Sequence, residues 1–148
     1  MNKINNMNEK KDLNVKEVFA LALENQHRKN FDVAQDLYNQ VLKINPNNVN
    51  ALNNIGLLFQ NKRDYKKANN YFEKAIEIDP NFIKAHNNLG VTFKLLGENE
   101  KAKSCYEKTL EIDPNNSIAI NNLGNAFKEL GEHQNAISCY EKAIKINP

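Results

Sequence analysis

Apolar and small side chains recur along most of this chain at steps of three and four residues, the spacing that places them on one face of an α-helix. Two such stretches follow each other in one segment: Leu52, Ile55, Gly56 and Phe59, then Ala68, Phe72, Ala75 and Ile76. Polar residues fill the positions between them. The pattern predicts an all-α chain built from pairs of amphipathic helices.

The same pattern returns every 34 residues, and prolines mark its phase at Pro46, Pro80, Pro114 and Pro148. Proline ends a helix because it lacks an amide donor and restricts the residue before it. The chain therefore divides into four units, each with two predicted helices: 15–48, 49–82, 83–116 and 117–148. A period of this length is typical of a stacked repeat array, whose function lies on the long surface that stacking creates.

The turn between the two helices of a unit is marked differently along the chain. Gly97 and Gly131 stand there in the last two units, and glycine suits a helix C-terminus because it accepts a positive φ angle. The first two units have Arg28-Lys29-Asn30 and Lys62-Arg63-Asp64 instead. We therefore expect these two turns to be less sharply specified.

Each of the last three units also has a glycine inside its first predicted helix, at Gly56, Gly90 and Gly124. A glycine in a helix interior costs roughly 1 kcal/mol relative to alanine. The cost is explained if a neighbouring helix packs closely against the glycine. We therefore predict close helix contacts at these three positions.

Three markers recur in order within the units. They are Leu-Gly-x-x-aromatic, as in Leu89 to Phe93, then Ala-x-x-x-aromatic, as in Ala102 to Tyr106, then the proline eight residues later. Over residues 15–148 this pattern resembles the tetratricopeptide repeat (TPR) family. The resemblance implies a right-handed superhelical solenoid of four antiparallel helix pairs, with the first helix of each pair lining a concave groove.

Composition limits the classes of protein to consider. Residues 1–13 are polar and rich in Asn and Lys, so we expect a disordered leader and not a secretory signal. The chain is 41% hydrophobic and 26% charged without a long apolar run, which argues against a membrane span. A net charge of +2 is too small to indicate nucleic-acid binding. A cytoplasmic location is the default expectation.

No group of residues indicates catalysis. His27, His86 and His133 occupy three different phases of the repeat, and His86 stands where the other units have an aliphatic residue. We expect it to be a packing residue with one polar contact. Cys105 and Cys139 are equivalent sites at least one helix spacing apart, which is too far for a disulfide. We therefore predict no enzyme, no metal site and no cofactor.

Helical geometry gives the first helix of each unit a free face. With Leu57 as the reference direction, Asn53 and Asn54 lie within about 60° of it at about 100° per residue, while the packing residues point away. The same phase in the other units completes the predicted peptide-binding set, which is Lys16, Asn53, Asn54, Lys84, Asn87, Asn88, Lys94, Asn121, Asn122, Asn125 and Lys128.

Asparagines recur in pairs on this face, and a carboxamide offers two donors and an acceptor to the backbone of an extended peptide. Asn54, Asn88 and Asn122 are similar to the asparagine ladder in the TPR arrays of O-linked N-acetylglucosamine transferases. The lysines favour an acidic segment or a C-terminal carboxylate as the partner. Compositional bias is the alternative explanation for the pairs, because 28 of the 148 residues are asparagine.

A different TPR specificity is the two-carboxylate clamp that holds the acidic C-terminal tails of chaperones. Asn54 and Lys84 match its pattern. Phe19 and Leu23 replace its first Lys and Asn, however, and Asn88 replaces its Arg. These departures count against chaperone-tail binding.

The last predicted helix has no later helix in this sequence to cover it, although terminal repeats normally have a polar outer face. We expect Ala136, Ile137, Tyr140 and Ile144 to be partly exposed and able to support self-association.

Three functions stay open. The predicted one is a protein-interaction module that holds an extended peptide in the groove and binds neither nucleic acid nor membrane. The first alternative is a substrate-recognition arm of a larger group-transfer enzyme whose catalytic domain is absent. The second is a structural array that self-associates through its last helix.

Overall fold

The computed structural model describes residues 14–148, which form eight α-helices and no strand. The helices are α1 (Val15–His27), α2 (Phe31–Ile44), α3 (Val49–Asn61), α4 (Tyr65–Ile78), α5 (Ile83–Leu95), α6 (Asn99–Ile112), α7 (Ser117–Glu129) and α8 (His133–Ile146). The prediction of an all-α helical repeat fold is confirmed. The predicted leader, residues 1–13, lies outside the described residues.

The chain separates into two compact units. The first unit ends at Pro46 and contains α1 and α2, and the second extends from Asn47 to Pro148 and contains α3 to α8. In the second unit each helix packs against the next one along the chain. Within the described residues, no helix combines the length and the apolar content that crossing a bilayer requires.

Asparagines begin several first helices. Asn14 Oδ1 accepts a hydrogen bond from the Glu17 backbone N–H at 3.0 Å, and the Glu17 carboxylate accepts one from the Asn14 backbone N–H at 3.1 Å. Asn48 and Asn116 cap α3 and α7 in a similar way, at 2.9 and 3.0 Å. Such caps satisfy amides that have no partner inside the helix. Capping thus accounts for part of the high asparagine content.

The turn inside each helix pair has the same conformation in all four 34-residue repeats. The φ angles are 63° at Lys29, 61° at Arg63, 76° at Gly97 and 78° at Gly131. In each case the next N–H bonds to a carbonyl five residues earlier, as in Glu98 to Phe93 at 2.9 Å, which is the pattern of a Schellman cap. The expectation of less sharply specified turns at Lys29 and Arg63 is therefore wrong. The hydrogen bonds of the cap hold these two residues in a left-handed conformation that their side chains disfavour.

A neighbouring helix packs closely against the glycines inside the first helices, as predicted, and the contacting groups are aromatic rings. A Cβ atom built on Gly56 would lie 2.5 Å from Cε1 of Phe72, and one on Gly90 would lie 2.5 Å from Cε1 of Tyr106. Both rings are fully buried. The close contact of α3 with α4, and of α5 with α6, therefore requires a residue without a side chain.

The contact between α6 and α7 shows how one repeat meets the next. Ala102, Tyr106, Leu123 and Ala126 form a buried cluster, against which partly buried apolar residues pack, among them Val91, Phe93, Leu110, Phe127 and Cys139. Beside it, Lys103 Nζ lies 3.1 Å from Glu132 Oε1 and 5.0 Å from the centre of the Phe127 ring. These contacts fix the first helices α5 and α7 relative to each other.

Candidate peptide-binding face

The first helices of the second unit contact one another directly, α3 with α5 and α5 with α7. We call the surface that carries the paired asparagines of these helices the asparagine face. Its members are Asn53, Asn54, Asn87, Asn88, Asn121, Asn122 and Asn125. Lys16, the predicted site residue of the first unit, is exposed on α1.

Asn53 connects neighbouring helices. Its Oδ1 accepts a hydrogen bond from Asn88 Nδ2 at 2.8 Å, and its Nδ2 donates to Asn54 Oδ1 at 3.4 Å. Asn53 is only 3% exposed. The expectation that it lies on the free face of α3 is therefore wrong. The sequence could not show this, because Asn53 is covered where α3 meets α5. Its contacts orient the carboxamides of Asn54 and Asn88, both of which are half-buried.

Thr92 forms a second polar link between α3 and α5. Its hydroxyl accepts a hydrogen bond from Gln60 Nε2 at 2.9 Å and donates to the Asn88 carbonyl at 2.9 Å. Thr92 is fully buried. The equivalent residues in the neighbouring repeats are Leu58 and Ala126, which are both apolar. Sequence reasoning missed this residue, although a hydroxyl at an otherwise apolar repeat position was a usable signal.

The asparagine pairs become more exposed toward α7. Asn87, equivalent to Asn53, is half-buried, and Asn121 is exposed. The Oδ1 atom of Asn87 is buried and has no hydrogen-bond partner among residues 14–148. Asn122 is half-buried. The described structure thus leaves a buried acceptor without a partner on α5.

Asn125 differs from the other members of the face. Its Oδ1 accepts a hydrogen bond from the Tyr140 hydroxyl at 2.7 Å. This bond ties α7 to α8 and occupies the carbonyl end of the Asn125 carboxamide. The Nδ2 group is the donor that Asn125 can offer to a ligand.

Charge is distributed unevenly over the second unit. α3 contains no charged residue, α5 contains Lys84 and Lys94 without an acid, and α7 ends with Lys128 and Glu129. Every other acidic residue from 47 to 148 lies on a second helix or in a turn. Lys84 and Lys128 are exposed and Lys94 is half-buried. The first helices therefore carry an excess of positive charge, which favours an anionic ligand.

His86 has the structural role that its repeat position predicts. It is 7% exposed, and its Nε2 lies 2.8 Å from the Pro80 carbonyl oxygen. Because a carbonyl only accepts, the Nε2 nitrogen donates this hydrogen bond. His86 is thus a packing residue with one polar contact, as predicted.

The two thiols are free and half-buried. Burial raises the pKa of the Cys105 thiol to about 11, and the Glu73 carboxylate adds to the rise. Burial also raises the pKa of the Cys139 thiol, against the opposing effect of Lys142. Both are therefore protonated at neutral pH and are poor nucleophiles. In the part of the chain that the structure describes, no three His, Cys, Asp or Glu side chains are placed to bind a metal together.

The family model of the tetratricopeptide repeat matches residues 49–82, 83–116 and 117–148. The chain belongs to the tetratricopeptide repeat family. TPR units generally mediate protein–protein interaction. The helix pair of α1 and α2 precedes the three matched repeats.

Solved structures show the same fold. The crystal structure of MamA matches with a TM-score of 0.79 and 27% sequence identity, over 86% of this chain and 75% of that chain. BtubC (BKLC) from P. vanneervenii matches with a TM-score of 0.81 and 24% identity, over 89% of this chain and 62% of that chain. No curated protein matches the sequence.

Proposed function

We propose that this TPR chain binds an extended acidic peptide segment on the asparagine face, and that it acts by binding and not by catalysis. The observation that carries the proposal is the segregation of charge. The first helices present carboxamides and lysines, and the acidic residues of the second unit, apart from Glu129, lie elsewhere. A peptide crossing these helices would meet hydrogen-bonding groups in a positive field.

The carboxamides supply the part of the recognition that does not depend on peptide sequence. Asn54, Asn88 and Asn122 occur at the same phase of successive repeats, and each can pair with a peptide N–H or C=O. The role proposed for them is that of the asparagine ladder in the TPR arrays of O-linked N-acetylglucosamine transferases. Asn53 is assigned the role of a positioning residue, because it is buried and bonds to Asn54 and Asn88.

The lysines supply the preference for acidic partners. Exposed charge pairs contribute about 0.2–1 kcal/mol each, so Lys84, Lys94 and Lys128 together would select acidic over neutral peptides without binding tightly. Long-range attraction would also speed association and would weaken with added salt. The raised pKa values of Cys105 and Cys139 support a non-catalytic role. A cytoplasmic location stays a prediction.

The test uses three fluorescently labelled, unstructured peptides of equal length. One is rich in Asp and Glu, the second has Asn and Gln at the same positions, and the third has Lys there. Fluorescence anisotropy should give the strongest binding for the acidic peptide and the weakest for the basic one. Equal binding of the acidic and neutral peptides would remove the proposed charge preference.

A triple variant tests the carboxamides. Combining Asn54→Ala, Asn88→Ala and Asn122→Ala should abolish measurable binding of the acidic peptide. The matched control combines Asn70→Ala and Asn135→Ala, which change exposed asparagines on the second helices α4 and α8. Undiminished binding by the triple variant, with helicity unchanged by circular dichroism, would refute the ladder.

A further inference from the structure

α8 has an exposed apolar strip on its outer side. Ile137 is 48% exposed, Ile144 is 64% exposed, and Tyr140 between them is half-buried. We call these three residues the α8 strip. Ala136 and Ala143 are only 3% and 5% exposed. Ala136 was predicted to be partly exposed and to take part in self-association, and this is wrong, because both alanines are buried in the structure.

Comparison with α6 shows that the α8 strip is unusually apolar for its place in the repeat. The equivalent of Ile144 is Leu110, which packs against the buried cluster that includes Leu123 of α7. The equivalent of Ile137 is Lys103, which pairs with Glu132. At one position, therefore, α8 has an isoleucine where α6 has a charge. If only water covered the α8 strip, we would expect its residues to be more polar than their equivalents on α6, and not less polar.

α1, the first helix that the structure describes, has polar residues where α7 is apolar. Where α7 has Ala126 and Phe127, α1 has Glu24 and Asn25 at the same repeat positions. Glu24 lies 2.6 Å from Arg28 in an exposed ion pair. If α1 of a second copy docked onto the α8 strip, the polar groups of Glu24 and Asn25 would lose water without gaining a new partner. Head-to-tail association through α1 is therefore disfavoured.

The α8 strip is complementary to itself. Ile137 and Ile144 are seven residues apart, two helical turns along one face. If two copies of α8 pack antiparallel around a two-fold axis near Tyr140, Ile137 of each copy lies opposite Ile144 of the other. The Tyr140 hydroxyl donates to Asn125 at 2.7 Å. This bond orients the ring before the strip binds.

We propose that the α8 strip is an interface between two copies of this chain, formed by antiparallel pairing of α8 with α8. One pair of short helices buries less than the roughly 1,200 Å² of a standard interface, so the dimer is weak and depends on concentration. The interface lies on a second helix, and the asparagine face lies on the first helices. Tyr140 of the strip bonds to Asn125 of the asparagine face, so the test changes Ile137 and Ile144 and leaves Tyr140 in place.

Sedimentation velocity on the full chain, from micromolar to near-millimolar concentration, measures the association. The expected result is a shift from monomer to dimer with rising concentration. Ile137→Glu with Ile144→Glu should keep the chain monomeric, because the pairing would place four carboxylates together in an apolar contact. Ile118→Glu, a change at a 65% exposed isoleucine on α7, should leave dimerisation unaltered. Equal melting curves by circular dichroism establish that all three chains fold.

Disulfide trapping tests the antiparallel register. In a Cys105→Ser, Cys139→Ser background, a mixture of the Ile137→Cys and Ile144→Cys chains should form a mixed disulfide under mild oxidation, and Ile118→Cys chains should not. A monomer at every concentration would overturn the proposal, and so would a dimer that survives the double Glu variant. Saturable binding of a synthetic 117–130 peptide to a chain that stays monomeric would also overturn it, by showing that the strip accepts a different helix.

Discussion

Gly90 lies directly beneath the ring of Tyr106. A Cβ at position 90 would meet Cε1 of that ring at 2.5 Å and Cζ at 2.9 Å, distances that side-chain carbons do not tolerate. Tyr106 is fully buried within the cluster between α6 and α7. The position of α5 on α6, and with it the spacing of the first helices, therefore depends on the absence of one methyl group.

Gly90→Ala should destabilise the protein. Overpacking a well-packed core costs about 1–3 kcal/mol, which exceeds the roughly 1 kcal/mol gained in helix propensity. Urea unfolding monitored by circular dichroism would show a lower midpoint. Gly124→Ala is the graded comparison, because its Cβ would lie 2.8 Å from Tyr140 Cε1, a longer distance than at Gly90, and Tyr140 is only half-buried. An equal or larger loss at position 124 would contradict the packing argument.

Arg63→Gly should stabilise the protein. Arg63 has a φ angle of 61°, and a left-handed conformation costs an L-residue roughly 1–2 kcal/mol that glycine avoids. The greater freedom of glycine in the unfolded chain offsets about 0.4–1 kcal/mol of this gain, so a net gain of up to about 1.6 kcal/mol remains. Thermal and urea unfolding measure it.

Lys62→Gly is the matched control for that change, because Lys62 adjoins Arg63 and has an ordinary φ angle of −78°. Glycine there should lower the unfolding midpoint, since it adds freedom to the unfolded chain without relieving strain. If both substitutions shift the midpoint in the same direction, the conformation at Arg63 does not limit stability.

Tyr106→Phe should raise the free energy of unfolding. The Tyr106 hydroxyl is buried and has no hydrogen-bond partner among the described residues, and burial raises the pKa of this phenol. An unsatisfied buried polar group costs about 1–3 kcal/mol. Tyr38→Phe is the opposite case at the same repeat position, because the Tyr38 hydroxyl donates to Gln26 at 2.6 Å. That change should lower stability, and a loss of stability in both variants would mean that ordered water satisfies Tyr106.

Asn53→Ala should weaken binding of the acidic peptide although Asn53 is buried. Its side chain holds Asn88 by a 2.8 Å hydrogen bond, so its removal frees the Asn88 carboxamide to adopt other rotamers. Loss of one such bond corresponds to about 1 kcal/mol, or about a five-fold weaker affinity. Anisotropy titrations measure the change, with Asn70→Ala as the exposed control on α4. Unchanged affinity would show that Asn88 does not need its partner.

Much of the fold could be predicted from the sequence because its signals are local. The 34-residue period set the phase of every helix, and that phase identified His86 as a packing residue and Gly56 and Gly90 as close contacts. Each of these conclusions depends only on which side of one helix a residue occupies. The physics involved, helical periodicity and the size of a side chain, is contained in the sequence itself.

The candidate site could be predicted only in part. Asn53 and Asn54 are adjacent in sequence and about 100° apart on the helix, so a small rotation of α3 decides which one faces α5. The structure buries Asn53 and leaves Asn54 half-buried. The role of Thr92 also depends on how two helices meet, because its partner Gln60 lies on the neighbouring helix α3.

The sequence by itself determined the helical repeats, their phase and the positively charged, asparagine-rich first helices, since helix periodicity and charge are properties of local sequence. The tertiary structure alone decided that Arg63 adopts a left-handed conformation, that Tyr106 has no partner where Tyr38 has one, and that Asn53 supports the face without being exposed on it. The conformation of Arg63 depends on the hydrogen bonds that close the turn after α3. The other two features depend on the distance and rotation between packed helices, and no single helix contains that information.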